Sequence, residues 1–273
     1  MTTIIYGKVP FIEKKKPFLF LLLFLLLGLP ELFLSPHVWG GERSLARVLE
    51  VYDGDTVVIL NASGKREILR YAGMDTPELH HPLFPQEEFA LRAWERNREL
   101  VEGRELELLS FGRDRYGRLL GYLFLPLAEG SVPIQEILLR EGLGVPRYGS
   151  FRDPFYDSFL KAFENARLSG AGFWNLAGKR LFTPSQIWDS LPYLRGHFIT
   201  LRCVPGKWKQ GPSRILVHTE HPRVFLSLAS REIPQTLPKK LEELSGISHL
   251  FFGKISLSYE GALLHLHHSC QIF

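Results

Sequence analysis

Cysteine is scarce. Cys203 and Cys270 are the only two in 273 residues, both in the last third, so a disulfide-rich scaffold is excluded; a single bridge in an oxidising compartment and two small buried side chains both stay open. Net charge is also small. With 33 basic against 29 acidic residues the chain carries only +4, too little to establish a polyanionic partner from charge alone. Internal repeats are absent, and so are low-complexity segments beyond the N-terminal forty residues, which removes repeat architectures. Nothing in the composition suggests disorder: 45% of the residues are hydrophobic, enough for one large core or two ordinary ones.

The charge that is present is unevenly distributed. Residues 1–40 are net +2 and residues 181–273 net +4, the latter with seven of the ten histidines, while residues 41–180 are net −2. Three lysines (Lys14 to Lys16) precede an almost unbroken Leu/Phe run from Phe18 to Leu29. A basic segment before an apolar one of this length matches a secretory signal, since a spanning helix needs about 20 residues. Apolar residues resume at Leu32 to Leu34, and Val38-Trp39-Gly40 is a poor cleavage context. An uncleaved signal anchor, with the lysines held in the cytoplasm, is therefore the other reading. Both put the remainder outside the cytoplasm: secreted, periplasmic, or attached to the membrane facing outward.

From Arg47 the pattern turns strand-like. Arg47 to Tyr52, Thr56 to Leu60 and Glu67 to Tyr71 are short Val/Ile/Leu-rich segments separated by Asp53-Gly54 and Asn61 to Lys65, which predicts a three-stranded meander. Asp55 then opens the second strand and Asp75 lies just past the third, close enough across neighbouring strands to share one divalent ion. Arg70 and Glu78 stand beside them. Taken singly, these residues read more simply as a turn and a helix start facing water. Helices are expected over 85–102, Ile134 to Arg140 and Pro154 to Ser169, and strands over Glu105 to Leu109 and Leu119 to Leu125, an α+β order. A charged loop, Phe111 to Arg118, separates those two strands.

Three motifs in order, Asp53-Gly54-Asp55-Thr56, then Arg70 with Asp75-Thr76-Pro77-Glu78, then Asp114-Arg115-Tyr116-Gly117-Arg118, resemble the staphylococcal nuclease-like, or thermonuclease, family. Gln135 to Leu143 and Gly172-Phe173-Trp174-Asn175 extend the resemblance, which covers roughly residues 44–175. It implies an OB-like five-stranded β-barrel with three helices, and a calcium-dependent phosphodiesterase acting on DNA and RNA; separately, a monomer is expected. By the same resemblance Asp55, Asp75 and the Thr76 carbonyl would hold Ca²⁺, Arg70 and Arg118 the scissile phosphate, and Glu78 would act as general base. Arg115, Tyr116 and Tyr148 would line the substrate groove. Arg115 replaces the family's groove lysine, and a second tyrosine expected two residues after Tyr148 falls on Ser150; both departures bear on substrate affinity rather than on the chemistry.

The residue types suit those roles independently. An anionic phosphodiester needs positive charge that tightens on the phosphorane oxygens, and arginine supplies planar, permanently protonated, bidentate donors. The plainer alternatives are surface ion pairs, Arg70 with Glu67 or Glu78 and Arg118 with Asp114. A protein of a different class, a nuclease fold that binds nucleic acid at the cell surface without turnover, would be expected to lose at least one of the five charged positions. All five are present.

The division expected is a leader over 1–40, a catalytic domain over 43–178 and a second domain over 185–273, with Phe182-Thr183-Pro184-Ser185 as linker. The last part shows three short strands, a helix over Pro238 to Leu244 and two more strands, the order of a second, mainly β, OB-like domain. Arg202, Lys207, Trp208, Lys209 and Arg214 are its candidates for single-stranded nucleic acid. His265, His267 and His268 read as a polar strand face, with metal binding the minor alternative.

Overall fold

The expected meander forms and closes into a barrel. The computed structural model describes residues 41–81, 84–147, 153–212, 214–229, 241 and 243–273. Strands β1 (Glu42–Asp53), β2 (Thr56–Asn61) and β3 (Arg66–Tyr71) are antiparallel neighbours. Inward positions alternate as a one-sided sheet requires, so that Val48, Val57, Ile59 and Leu69 are wholly buried. After the two-residue β4 (Met74–Asp75), β5 (Glu105–Arg113) pairs with β1, and β6 (Leu119–Leu127) pairs with β5. Closure comes from β6 running parallel to β3, with Leu69 opposite Leu119 and Arg70 opposite Leu120. This is the OB-like α+β barrel. The edge strand β7 (Gly130–Pro133) extends β6 and was not expected, being a Gly-Ser-led tetrapeptide.

Three helices cover the barrel: α1 (Ala90–Val101), α2 (Ile134–Arg140) and α3 (Tyr156–Ser169). The expected start of α1 at residue 85 is corrected to Ala90. Phe89 takes φ 68°, in the left-handed region, and a helix cannot propagate backwards through such a residue. Between α2 and α3, β8 (Val145–Pro146) pairs with β4, fixing the chain on either side of Asp75. Helix α1 also reaches the turn after β1: Asn97, fully buried, donates to the Asp53 carbonyl at 3.1 Å and accepts from the Tyr71 hydroxyl at 2.9 Å.

The segment expected to be a linker is folded. Strand β9 (Leu181–Phe182) pairs with β10 (Phe198–Cys203), and Thr183 caps helix α4 (Pro184–Asp189) in a reciprocal capping box with Gln186. Pro-Ser composition reads as loop, but Thr-Pro-x-Gln is also a helix start with proline at the first helical position. The short helix α5 (Leu191–Leu194) follows. Strands β11 (Trp208–Gln210), β12 (Arg214–His218), β13 (Val224–Ala229), β14 (His249–Leu257) and β15 (Ala262–Leu266) complete a β-rich region ordered β11-β12-β13-β15-β14-β10-β9. Its β13–β15 pair is parallel and its β12–β13, β15–β14 and β14–β10 pairs antiparallel. Most of the helix expected over Pro238 to Leu244 lies outside the described residues.

Residues 41–273 form one unit, and aromatic rings join its two parts. Phe198 and Phe252 from the β-rich region belong to the same buried cluster as the barrel core. Phe173 stacks on Phe198 with centroids 4.3 Å apart, and Trp174 meets Phe252 at 5.1 Å; pairs of this kind add about 0.5–1.5 kcal/mol each beyond the burial of their area. Cys203 packs in the second core and Cys270 against the first, both as thiols, so no bridge joins them. Among the described residues no helix is long and apolar enough to cross a membrane; the expected leader, residues 1–40, lies outside them.

Candidate active site

The site grows from the turn between β1 and β2. Gly54 is required there by close approach: a Cβ at this position would sit 2.7 Å from Thr76 Oγ1 and 2.8 Å from Ala93 Cβ, distances only a hydrogen allows. The tight turn delivers Asp55 to the buried start of β2. Its Oδ2 accepts from the Thr76 backbone N–H at 2.8 Å and from Thr76 Oγ1 at 3.0 Å, and its Oδ1 accepts from Thr56 Oγ1 at 3.0 Å. Arg70, at the end of β3 and buried, closes the arrangement. One guanidinium nitrogen lies 2.8 Å from Asp55 Oδ2 and the other pairs with Asp75 Oδ1. The two carboxylates predicted to share an ion are thus brought together, bridged by the predicted arginine. Arg70 pairs with neither Glu67 nor Glu78; those surface pairings give way to a buried one.

Carboxylates are crowded around this point. Burial, then the neighbouring Asp55 charge, pushes Asp53 up to about 7, against the opposing hydrogen bond from the Gly54 N–H and with Glu78 adding to the rise. Glu78, half-buried, is raised too, by burial first and by Asp55, while a hydrogen bond with Asp53 works the other way. The two titrate as a pair. Both carboxyls are therefore held above the ordinary carboxylate range. Asp75 is different. Burial pushes it up, but Arg70, Arg147, Lys254 and His267 together outweigh that and hold it below the ordinary carboxylate value. Excess negative charge confined by burial is the electrostatic condition that a bound cation relieves. All the donors here are oxygens, the set a hard divalent cation prefers. Among the described residues no cluster of three or more His, Cys, Asp or Glu side chains is spaced to hold a metal.

Arg118 stands immediately before β6, whose first residues lie beside the end of β3 that carries Arg70. Its Nε donates to Asp114 Oδ2 at 2.7 Å, the surface pairing weighed for it above, and its guanidinium lies 5.5 Å from the Tyr116 ring centroid. Arg115 covers the same ring at 4.7 Å and donates to the Tyr116 hydroxyl at 2.6 Å. Tyr116 is nonetheless 67% exposed, so two arginines accompany an aromatic side chain that reaches solvent. Tyr148 and Ser150 lie outside the described residues.

In the β-rich region Arg202, Lys207, Trp208 and Lys209 are exposed, and Arg214 half-buried. Of the three histidines, His265 Nε2 is 2.6 Å from Ser256 Oγ and His268 Nδ1 accepts from the Cys270 N–H at 3.3 Å. Burial, then like charge from His267, pushes His265 down to about 3. Burial also carries His267 down to about 4, although Asp75 opposes it. Neither is cationic at neutral pH.

Sequence reasoning passed over Asp53 as a titrating group, and over Glu87, Lys254 and His267 entirely as parts of this site. Asp53 carried a signal, since it opens the first motif. The other three are linked to the site by contacts across as many as 167 residues, for which no local pattern exists.

Comparison with known proteins agrees with this geometry. A family model described as staphylococcal nuclease homologue matches residues 68–176. Endonuclease YncB of Bacillus subtilis (strain 168) is 34% identical over 149 residues, 53% of this chain and 68% of that protein. The SPbeta prophage-derived endonuclease YokF of the same organism is 34% identical over 130 residues, 46% of this chain and 42% of its own length. Thermonuclease of Staphylococcus hyicus is 28% identical over 145 residues, 52% and 83% respectively. The chain belongs to the staphylococcal nuclease homologue family.

Proposed function

We propose that this protein is a calcium-dependent nuclease that hydrolyses phosphodiester bonds of DNA and RNA outside the cytoplasm. The observation that carries the reading is the buried Arg70 bridging Asp55 and Asp75 beside a paired Asp53 and Glu78. The names of the relatives, endonuclease and thermonuclease, support nucleic acid as the substrate.

Arg70, at the end of β3, and Arg118, just before β6, stand where the barrel closes and would grip the scissile phosphate from two sides, and their donors would strengthen as charge builds on its oxygens. Glu78 would take the proton of the attacking water. Asp55, Asp75 and the Thr76 carbonyl would hold Ca²⁺. When bound, the ion neutralises the phosphate and polarises it toward attack. Before substrate arrives Arg118 rests on Asp114, so engagement exchanges one charge-assisted bond for another. Tyr116, held by Arg115 and Arg118, offers a face on which a base can stack. We read the protein as a monomer.

The lysine-led apolar run of residues 14–29 supports export, with or without retention in the membrane. The β-rich region is read as a second OB-like barrel over 185–273; the pairing order, with its first strand divided between β10 and β11, supports this, and the exposed Arg202, Lys207, Trp208 and Lys209 support nucleic-acid contact. The test of function is hydrolysis of single-stranded DNA in Ca²⁺ against EDTA, with Glu78→Gln and Arg118→Ala beside the wild type. Absence of metal-dependent cleavage, or full activity in both variants, sinks the reading. Substituting Mn²⁺ or Mg²⁺ examines the metal separately.

A further inference from the structure

Glu87 and Glu88, just before α1, are held from the β-rich region. Lys254 on β14 forms an ion pair with Glu87. Arg180 pairs with Glu88 at 2.8 Å, the Phe198 N–H donates to Glu88 Oε2 at 3.1 Å, and the Glu88 N–H donates to the Gly196 carbonyl at 3.0 Å. On its other side Glu87 brackets Glu78. Its Oε2 accepts from the Glu78 N–H at 2.8 Å, and its own N–H donates to the Glu78 carbonyl at 2.9 Å.

The same residues share one space. A cavity of about 260 Å³ has Asp75, Thr76 and Pro77 on one side and Lys254, Ser256 and His267 on the other. The β-rich region therefore supplies a wall directly against the catalytic rim. An exposed ion pair in such a place would contribute little. Here both partners are largely buried, 22% and 20% exposed, and one of them holds the backbone of the expected general base. A base must lie within hydrogen-bond reach of the water it activates, and a displacement of 1 Å is enough to lower a rate by about 10²-fold.

We propose that Lys254 is a positioning residue for phosphodiester hydrolysis: through Glu87 it fixes the backbone of Glu78, and the β-rich region is thereby part of the catalytic apparatus. This rests on the nuclease reading. Without Lys254, Glu87 is left as an unpaired carboxylate facing Asp75 and Glu78, and mutual repulsion loosens the segment that carries the base. Lysine at position 254 and carboxylate at 87 act in different ways, because only an acceptor at 87 can take the Glu78 N–H.

The experiment uses the full chain on single-stranded DNA in Ca²⁺. Lys254→Met keeps the aliphatic stem, Lys254→Arg keeps the charge, and the exchanged pair K254E/E87K restores the ion pair while removing the acceptor. Lys254→Met should lower kcat 10- to 100-fold with KM within threefold of wild type, and Lys254→Arg should recover kcat to within threefold. The exchanged pair should recover thermal stability but not kcat. Amide exchange at Glu78 gives a second measurement and should quicken in Lys254→Met. An unchanged kcat in Lys254→Met, a loss confined to KM, or full recovery of kcat in the exchanged pair overturns the proposal. A wild type that cleaves nothing overturns the nuclease reading itself, and the proposal with it; a wild type that cleaves no faster than Lys254→Met overturns the proposal alone.

Discussion

Replacing Asp53 by asparagine should change how stability depends on pH. Asp53 is buried at the end of β1, with its Oδ1 accepting the Gly54 N–H at 2.7 Å, a bond an asparagine oxygen can keep. Its carboxyl is pushed from 3.8 to about 7 in the fold. The folded state therefore binds the proton more tightly than the unfolded chain. The stabilisation this proton gives is complete below pH 3.8 and is lost as pH rises toward about 7. At about 1.4 kcal/mol per pH unit the whole interval is worth about 4 kcal/mol at most. The amide of Asp53→Asn cannot ionise, so the stability of this variant relative to wild type should climb by up to that amount between pH 4 and 7 and level off above 8. Urea unfolding in EDTA at half-unit steps measures the difference directly, and other titrating groups cancel to first order. Parallel curves for the two proteins across that interval would refute the crowding of Asp53, Asp55 and Glu78.

Three further outcomes are expected. Asn97→Ala strips partners from the Asp53 carbonyl and the Tyr71 hydroxyl; an unsatisfied buried group costs about 1–3 kcal/mol, so unfolding should show a loss of several kcal/mol, and a loss under about 1 kcal/mol would contradict the anchoring of the turn by α1. Gly54→Ala forces a Cβ against Thr76 Oγ1 at 2.7 Å; activity should fall more than stability, checked by comparing kcat with the melting temperature. His265 and His267, pushed to about 3 and about 4, should keep constant imidazole shifts by NMR from pH 5.5 to 8, whereas a midpoint near 6.5 would show that they are solvated.

Much of the site was readable because its motifs are local. Asp53 to Thr56 and Asp75 to Glu78 each occupy one turn, and the meander that joins them follows from alternation of apolar residues with Gly-bearing turns. The boundaries of α2 matched because its apolar residues recur at helical spacing. Failures came where a local pattern was overridden or was silent. Phe89 broke the helical periodicity by its backbone angle alone, and Thr183-Pro184 served as a helix cap rather than a joint. The tie from Lys254 to Glu87 and Glu78 depends on how β14 packs against the start of α1, a tertiary contact with no trace in either segment. The same packing is why Phe198 and Phe252 belong to the barrel's core.

Arg70 at the end of β3 and Arg118 just before β6 are expected to act on one phosphate where the barrel closes. The rate of single-stranded DNA hydrolysis by Arg118→Ala in saturating Ca²⁺ tests this most directly. Loss of a transition-state donor lowers kcat by about 10²–10³, and because Arg118 is a partly exposed residue paired within its own loop to Asp114, melting should barely move. A kcat within a few-fold of wild type, with the protein folded and Ca²⁺ present, would contradict the account.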